Sequence, residues 1–237
     1  MCTVTYLPKN NGDFILTSSR DEKTIRPAAL EPMEYTIGNN RIIFPQDPSA
    51  KGTWIAFSEN RVACLLNGGF EKHISSPPYK KSRGLALLDF FSYDSAPQFA
   101  EKYTFDGIEP FTLILIENNS VYELRWDSQR IYNVKYNSSQ PAIWSSVTLY
   151  DYEVIKKRKN WFQEWLTTNK LYSTELIRDF HKNGGDGDHK NDILMNRSDT
   201  MKTVSITSIE KSGQNLQMIH QDLLHQKYYT KSCAFAL

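Results

Sequence analysis

The order of its predicted elements makes this chain an α+β protein. Strand hairpins open the sequence, helices separate and follow them, and strands return near the end. Strand hairpins and helices that come in separate runs favour antiparallel sheets covered by helices. The chain has 237 residues and neither an internal repeat nor a low-complexity segment, so residues 1–237 are expected to form one domain.

The predicted strands are short runs rich in β-branched and aromatic residues, and turn residues separate them. Three hairpins join residues 3–7 to 14–17, 53–57 to 62–66, and 111–116 to 121–126. A late strand covers residues 203–209, and the Lys-Ser-Gly turn at 211–213 leads into another strand.

Four helices are predicted, over residues 81–91, 97–103, 151–166 and 174–180. The third has the clearest period, because large apolar side chains recur on one face of a helix. These side chains are Val154, Ile155, Trp161, Phe162, Trp165 and Leu166. The basic run at 156–159 is expected to form the solvated face of that helix, and residues 182–192 to form a polar loop.

Charge and hydropathy exclude two classes of partner. The formal net charge is +1, whereas a general nucleic-acid binder carries a large excess of basic residues. The longest apolar runs, such as residues 111–116, are too short to span a membrane. No apolar signal-peptide core follows Met1, so a cytoplasmic location is expected. The composition leaves the oligomeric state open.

Metal and cofactor binding are not expected. His181, Asp186, Asp188 and His189 lie close together in the sequence, but Lys190 breaks the calcium-loop pattern. The same segment has no cysteine pair with zinc spacing. A solvated loop is therefore the expected structure, and no metal and no cofactor are assigned.

The three cysteines are too few for a disulfide scaffold, and they are expected to differ in role. Cys64 lies in the predicted strand at 62–66, and both Cys64 and Cys233 are expected to pack. Cys2 could also be a small apolar residue at the start of a strand. If Met1 is removed, however, Cys2 carries a thiol and a free α-amine, and the amine can serve as the base of an N-terminal nucleophile.

The end of the second strand supplies the charges that such a site needs. The first hairpin brings Cys2 towards the segment that contains Ser19, Arg20 and Asp21. Arg20 would favour the thiolate, and Asp21 would orient the α-ammonium group. The alternative is an ordinary surface ion pair between Arg20 and Asp21.

Several short motifs, in order along most of the chain, resemble one known family. They are Met1-Cys2-Thr3, Ser19-Arg20-Asp21-Glu22, Gly52-Thr53-Trp54, Asn60-Arg61-Val62-Ala63, Leu66-Asn67-Gly68 and the block at 143–149. Together they are similar to the NRDE family of transport-and-Golgi-organisation proteins. That family is similar to the choloylglycine hydrolases and penicillin V acylases, which are cysteine enzymes that cleave linear amides.

The resemblance implies a four-layer αββα sandwich, with two antiparallel sheets between helical layers. It also implies that Cys2 is the nucleophile, with Arg20 and Asp21 beside it and Asn67 on the oxyanion side. The alternative for Asn67-Gly68-Gly69 is a turn that accepts positive φ.

Two residues depart from the family pattern, and one lacks a clear match. Ser19 stands where the name motif has Asn, and Ser146 stands where the third block has an Asn that helps to bind the oxyanion in the amide hydrolases. Arg197 and Lys202 are the candidates for the late catalytic arginine. The aromatic residues Tyr6, Trp54 and Phe70, with Gly68, are candidates for the walls of a substrate pocket.

Two functions from different classes follow. The first is an N-terminal cysteine hydrolase that cleaves the C–N bond of a small acylated molecule, with Asn67 and Ser146 facing the oxyanion. The second is a non-catalytic binding or trafficking protein on the same fold. Its ligand would be a hydrophobic small molecule, with haem or an acyl thioester as the candidates that the resemblance implies.

Overall fold

A computed structural model describes residues 3–234 of the chain. In chain order the elements are β1 (Thr3–Pro8), β2 (Phe14–Lys23), β3 (Met33–Ile37), β4 (Asn40–Phe44), β5 (Ile55–Phe57), β6 (Arg61–Asn67), α1 (Arg83–Asp89), α2 (Ala96–Lys102), β7 (Phe111–Glu117), β8 (Ser120–Trp126), β9 (Ile131–Tyr136), β10 (Ala142–Ser145), α3 (Tyr152–Thr168), α4 (Thr174–Asn183), β11 (Asn196–Arg197), β12 (Met201–Ser212), β13 (Asn215–Asp222) and β14 (Lys227–Ala234).

The strands form two antiparallel sheets. Sheet 1 has the order β10-β1-β2-β12-β13-β14, and the short β11 also pairs with β12. Sheet 2 runs from β3 to β9 in chain order. The middle of sheet 1 joins the first hairpin to β12, so residues from both ends of the chain lie side by side there.

The two sheets pack face to face, and helices cover their outer faces. Even-numbered positions of β1 and β2, such as Val4 and Leu16, share a core with Cys64 and Ile114 of sheet 2. Odd-numbered positions, such as Leu7, point the other way. This alternation is the period of a strand that is buried on both faces.

The outer layers give the sandwich its αββα order. Leu7 and Ile15 of sheet 1 pack with Phe162 of α3 and Ile177 of α4. Helices α1 and α2 pack on sheet 2, where α1 contacts β6 and α2 contacts β9. The predicted α+β sandwich of two antiparallel sheets is therefore confirmed. No helix within residues 3–234 is long and apolar enough to cross a membrane.

The four helices begin where the sequence supplies a capping side chain. In each case the capping oxygen accepts a hydrogen bond from a backbone N–H three residues later, which satisfies one of the free donors of the first turn. The caps are Ser82, Ser95, Asp151 and Ser173. All four predicted helices are present, and their ends differ from the prediction by a few residues.

The strands β3, β4, β9, β10, β11 and β14 were not predicted. Strands β3 and β9 form the edges of sheet 2, and most of their side chains are exposed or half-buried. An edge strand without a buried face lacks the apolar alternation that marks a strand in sequence. In β4, by contrast, the buried residues Ile42, Ile43 and Phe44 form a run too short to distinguish a strand from a loop.

The prediction for the basic run of α3 was wrong at one position. Arg158 is fully buried, whereas Lys156, Lys157 and Lys159 are exposed. Arg158 lies four residues before Phe162 on the same helix face, and both point towards sheet 1.

Candidate active site

The first hairpin brings the start of β1 to the far end of β2. Thr3 lies opposite Ser19, and Tyr6 lies opposite Leu16. The predicted nucleophile Cys2 lies outside the described residues. The site is therefore built here from the residues that surround the beginning of β1.

Arg20 and Asp21 project from opposite faces of sheet 1. Neighbouring residues of a strand point to opposite sides, and a β-bulge in β12 lies at this point, because Thr203 pairs with Asp21 and Ser205 pairs with Arg20. Arg20 reaches Trp54 on the side of sheet 2. Asp21 reaches Tyr150 on the side of the helices. Both charged residues are 3% exposed.

Asp47 holds the charged side chains on the cleft side of the sheet. Its carboxylate accepts hydrogen bonds from Arg20 Nη2 at 2.8 Å and from Arg26 Nε at 2.8 Å. The backbone N–H groups of Ser49 and Ala50 donate to its other oxygen. Burial raises the pKa of Asp47, but the hydrogen bonds from Arg26 and Ala50 and the charges of Arg26 and Arg20 outweigh burial and lower it.

A second polar cluster holds Asp21. Tyr150 Oη donates to Asp21 Oδ2 at 2.6 Å, and Thr203 Oγ1 donates to Asp21 Oδ1 at 2.6 Å. The guanidinium carbon of Arg158 lies 3.5 Å from the centre of the Tyr150 ring. Asp21 is thus held by Tyr150 and Thr203, which come from two separate parts of the chain.

A polar cleft of about 380 Å³ opens beside Arg20. Four cationic and three carboxylate side chains line it: Arg20, Arg26, Lys81 and Arg83, with Glu22, Asp47 and Glu109. These charges form ion pairs, such as Arg83 with Glu109 at 3.0 Å. A site of this volume whose charges are paired suits a small polar molecule.

Three of the predicted site residues line this cleft: Arg20, Trp54 and Asn67. The guanidinium carbon of Arg20 lies 4.7 Å from the centre of the Trp54 ring. The indole N–H of Trp54 is buried and has no acceptor within residues 3–234. The side-chain amide of Asn67 likewise makes no hydrogen bond to any described residue. Both groups are therefore donors that a ligand could use.

Ser146 lies behind Asn67 and binds the backbone of that residue. Ser146 Oγ donates to the Asn67 carbonyl oxygen at 2.8 Å and is hydrogen-bonded to Thr148 Oγ1 at 2.9 Å. Its hydroxyl proton is therefore used within the protein. An Asn at position 146 would bring a second donor, which the hydroxyl of Ser146 does not supply.

Ser19, the other departure from the family pattern, faces the helices. Its hydroxyl is hydrogen-bonded to His181 Nδ1 at 2.7 Å, and Thr5 Oγ1 is 2.9 Å from His181 Nε2. Burial, assisted by the charges of Arg178 and Arg158, lowers the pKa of His181 to about 3. The presence of Ser instead of Asn at position 19 therefore affects the packing between sheet 1 and the helices.

Gly68 shapes the chain beside the cleft. Its φ is +87°, and a Cβ atom there would lie 2.6 Å from Val147 Cγ2 and 2.9 Å from Thr148 Cγ2. Only glycine accepts both the left-handed backbone and this close approach. Its structural role is thus to let the segment after Asn67 pack against the segment after Ser146.

Tyr6 and Phe70 line other parts of the surface. Tyr6 lies further along β1, where its hydroxyl donates to the Ser138 carbonyl at 2.9 Å and burial raises its pKa to about 12. Phe70 is 49% exposed, packs edge-on against Tyr132, and lines a separate groove of about 410 Å³. Neither aromatic ring lines the polar cleft.

Arg197 and Lys202 also lie away from the cleft. Arg197 Nη2 donates to the Leu149 carbonyl at 2.9 Å, and its guanidinium carbon lies 5.3 Å from the centre of the Tyr150 ring. Lys202 pairs with Glu22 across the β2–β12 ladder, and its ammonium group is 3.8 Å from Asp199. Of the two, Arg197 is the one that contacts the group around Asp21.

The remaining cysteines are packing residues in the structure. Cys64 is fully buried between the sheets, and burial raises its pKa to about 12. Cys233 is half-buried in β14, and burial also raises its pKa. Within residues 3–234, no group of three or more His, Cys, Asp or Glu side chains could hold a metal ion.

The sequence prediction did not include Arg158 or Tyr150. A signal for Arg158 was present, because it lies at the helical spacing of Val154, Phe162 and Trp165. Tyr150 lies in the loop between β10 and α3, where no periodicity applies.

Comparisons with known proteins add one finding. The family model described as Transport and Golgi organisation 2 matches residues 1–234. A comparison with curated proteins finds no significant match.

Proposed function

The chain belongs to the Transport and Golgi organisation 2 family, and we propose that it is a hydrolase whose N-terminal cysteine cleaves the amide bond of a small acylated molecule. One observation carries the proposal. Thr3, the residue after Cys2 in the sequence, lies opposite Ser19, the residue before Arg20. In our proposal the antiparallel pairing continues by one residue, so that Cys2 lies opposite Arg20 at the edge of the polar cleft.

The proposed reaction begins with removal of Met1, which leaves Cys2 with a free α-amine. The thiol proton passes to this amine, and the thiolate attacks the carbonyl carbon of the substrate. The carbonyl oxygen then becomes an oxyanion. The Asn67 amide is the proposed donor to it, and a single donor of this kind contributes about 3–4 kcal/mol to transition-state stabilisation.

The second half of the reaction releases both products. The C–N bond breaks, the α-ammonium group gives its proton to the leaving amine, and a thioester to Cys2 remains. A water molecule loses a proton to the α-amine and attacks the thioester. The products are a carboxylic acid and the regenerated thiol, with no redox change.

Arg20 and Asp21 have separate roles in this proposal. Arg20 supplies positive charge on the cleft side, where it is held by Asp47 and Trp54. Its charge favours the thiolate. Asp21 supplies negative charge on the opposite face of the strand, where it can orient the α-ammonium group. A thiol nucleophile also requires a reducing environment, and the proposed location is the cytoplasm.

One observation favours the second candidate function. The hydroxyl proton of Ser146 is donated to the Asn67 carbonyl oxygen, so it does not replace the oxyanion donor that an Asn would supply. A protein that binds a hydrophobic small molecule, such as haem or an acyl thioester, does not need that donor. Co-purification of a stoichiometric ligand with both the wild type and Cys2→Ser would support this function.

The experiment that tests the hydrolase has two parts. Mass spectrometry of the intact protein should show that Met1 is absent, because a retained Met1 blocks the amine. A panel of N-acyl amides should then be hydrolysed by the wild type and by the control Cys233→Ala, but not by Cys2→Ala. A retained Met1, or equal hydrolysis by Cys2→Ala, overturns the proposal.

A further inference from the structure

Arg158 is a fully buried cation, and its guanidinium group contacts only neutral groups among residues 3–234. It donates from Nη1 to Thr3 Oγ1 at 2.6 Å, from Nε to the Asn191 carbonyl at 3.0 Å and from Nη2 to the Asp192 carbonyl at 2.5 Å. Within residues 3–234, no carboxylate lies within 4 Å of it. Burial of a charge among neutral groups is unfavourable for folding. A functional role for Arg158 would explain why the charge is there.

The contacts of Arg158 lead to Asp21 through one aromatic ring. The guanidinium carbon lies 3.5 Å from the centre of the Tyr150 ring, and Tyr150 Oη donates to Asp21 Oδ2 at 2.6 Å. A cation over a phenol ring withdraws electron density from it, and the O–H group then donates more strongly. The charge on α3 therefore strengthens the hydrogen bond that holds the Asp21 carboxylate.

The same guanidinium group also holds the beginning of β1. Thr3 accepts its 2.6 Å hydrogen bond, and Thr3 pairs with Ser19, two residues before Asp21 on β2. Thr3 is the residue that follows Cys2 in the sequence. One side chain from α3 thus connects the start of β1 with the carboxylate on β2.

The charged groups on this face of sheet 1 also include Arg197, Arg178 and the carboxylate of Glu210 on β12, which accepts a hydrogen bond from Thr174 of α4. Arg197 of β11 lies 5.3 Å from the centre of the Tyr150 ring, and Arg178 of α4 is buried beneath β12. His181 of α4 lies beneath β1 and β2, and burial and the charges of Arg178 and Arg158 keep its pKa low. Asp21 is thus the carboxylate to which the contacts of Arg158 lead.

We propose that Arg158 is a positioning residue for the N-terminal cysteine: it aligns the start of β1 with Asp21, and its charge favours the thiolate of Cys2. This inference rests on the proposed function. Arg158 touches no substrate in this proposal. It acts through Thr3 and Tyr150.

The test measures the reactivity of the Cys2 thiol without any substrate. The folded full-length protein is alkylated with iodoacetamide between pH 5 and pH 10, and peptide mapping gives the rate at Cys2. Arg158→Gln should raise the midpoint of the pH profile by about 0.5 to 1 pH unit, because a nearby positive charge is lost. Arg158→Lys, which keeps the charge, should raise it by less.

Arg178→Gln is the matched control. Arg178 is also buried, 6% exposed, and within residues 3–234 it donates only to neutral groups, but those groups lie on β12 and β13. Its loss should reduce stability and leave the Cys2 midpoint unchanged. A wild-type midpoint in folded Arg158→Gln, or an equal shift in Arg178→Gln, overturns the inference.

A further variant covers the case in which Arg158→Gln does not fold. Tyr150→Phe keeps the ring under Arg158 and removes the hydrogen bond to Asp21. It should lower kcat/KM for amide hydrolysis about tenfold, because a charged acceptor loses a donor. Unchanged kcat/KM in this variant overturns the inference. If the wild-type Cys2 reacts no faster than Cys233, the proposed function fails instead.

Discussion

The buried imidazole of His181 should make the stability of this protein depend strongly on pH. Both ring nitrogens are hydrogen-bonded, to Ser19 at 2.7 Å and to Thr5 at 2.9 Å, and the side chain is fully buried. Burial lowers its pKa from 6.5 to about 3. The folded protein therefore holds His181 neutral at pH values where the unfolded chain is protonated.

The sign and size of the effect follow from proton linkage. Below pH 6.5 the unfolded chain takes up a proton that the folded protein does not, so the free energy of unfolding falls as the pH falls. The slope is about 1.4 kcal/mol per pH unit, and the loss between pH 7.5 and pH 4.5 is about 3 kcal/mol. His220, whose pKa burial lowers to about 4, should add a similar loss.

The variant His181→Gln removes this one titration. At pH 7.5 it should be less stable than the wild type by about 1–3 kcal/mol, because the hydrogen bonds to Thr5 and Ser19 are weakened. At pH 4.5 the difference should shrink by about 3 kcal/mol, because the variant has no proton to take up at this position. Urea unfolding followed by circular dichroism at four pH values measures both quantities.

The control is His189→Gln, because the His189 side chain is 83% exposed. It should follow the wild-type curve to within about 1 kcal/mol at every pH. If the difference between His181→Gln and the wild type is the same at pH 7.5 and pH 4.5, the reasoning about the buried imidazole is refuted.

Two further predictions concern the cleft. Gly68→Ala should lower the free energy of unfolding by about 1–3 kcal/mol, because the added Cβ meets Val147 and the backbone has a positive φ; Gly38→Ala, whose Cβ would meet nothing within 4 Å at a similar positive φ, separates the contact from the backbone strain. Asp47→Asn should lower the free energy of unfolding by about 3 kcal/mol, which is the lower end of the range for a broken buried ion pair. The loss is at the lower end because the carboxylate of Glu22 remains 3.6 Å from Arg20. Chemical denaturation measures both losses, and an effect below about 0.5 kcal/mol in either variant would contradict its explanation.

Local patterns in the sequence were sufficient to predict most of the sandwich. The strand pair at 3–7 and 14–17 became β1 and β2, and the four predicted helices became α1 to α4, of which α3 was predicted from periodicity. These elements bury an apolar face, and burial leaves a period in the sequence. The edge strands β3 and β9 bury little, so they left no such period.

The candidate site was predictable in part. Arg20, Trp54 and Asn67 line one cleft, as the motif that contains each of them suggested. The separation of Arg20 and Asp21 onto two faces of a strand follows from strand geometry alone. The residues that bind Arg20 and Asp21 cannot be predicted in this way, because Asp47 and Tyr150 come from loops with no periodic pattern.

By itself the sequence determined the four helices, the capping residues at which they begin, and the strands that bury an apolar face, such as β1 and β2. Only the tertiary structure decided that Arg158 is buried. A basic run on a helix usually faces water, because a buried charge must find polar groups that replace its hydration. For Arg158 these groups are Thr3, 155 residues away in the chain, and carbonyl oxygens 33 and 34 residues away. No local pattern records contacts at such distances, so the burial of this charge could be seen only in the folded protein.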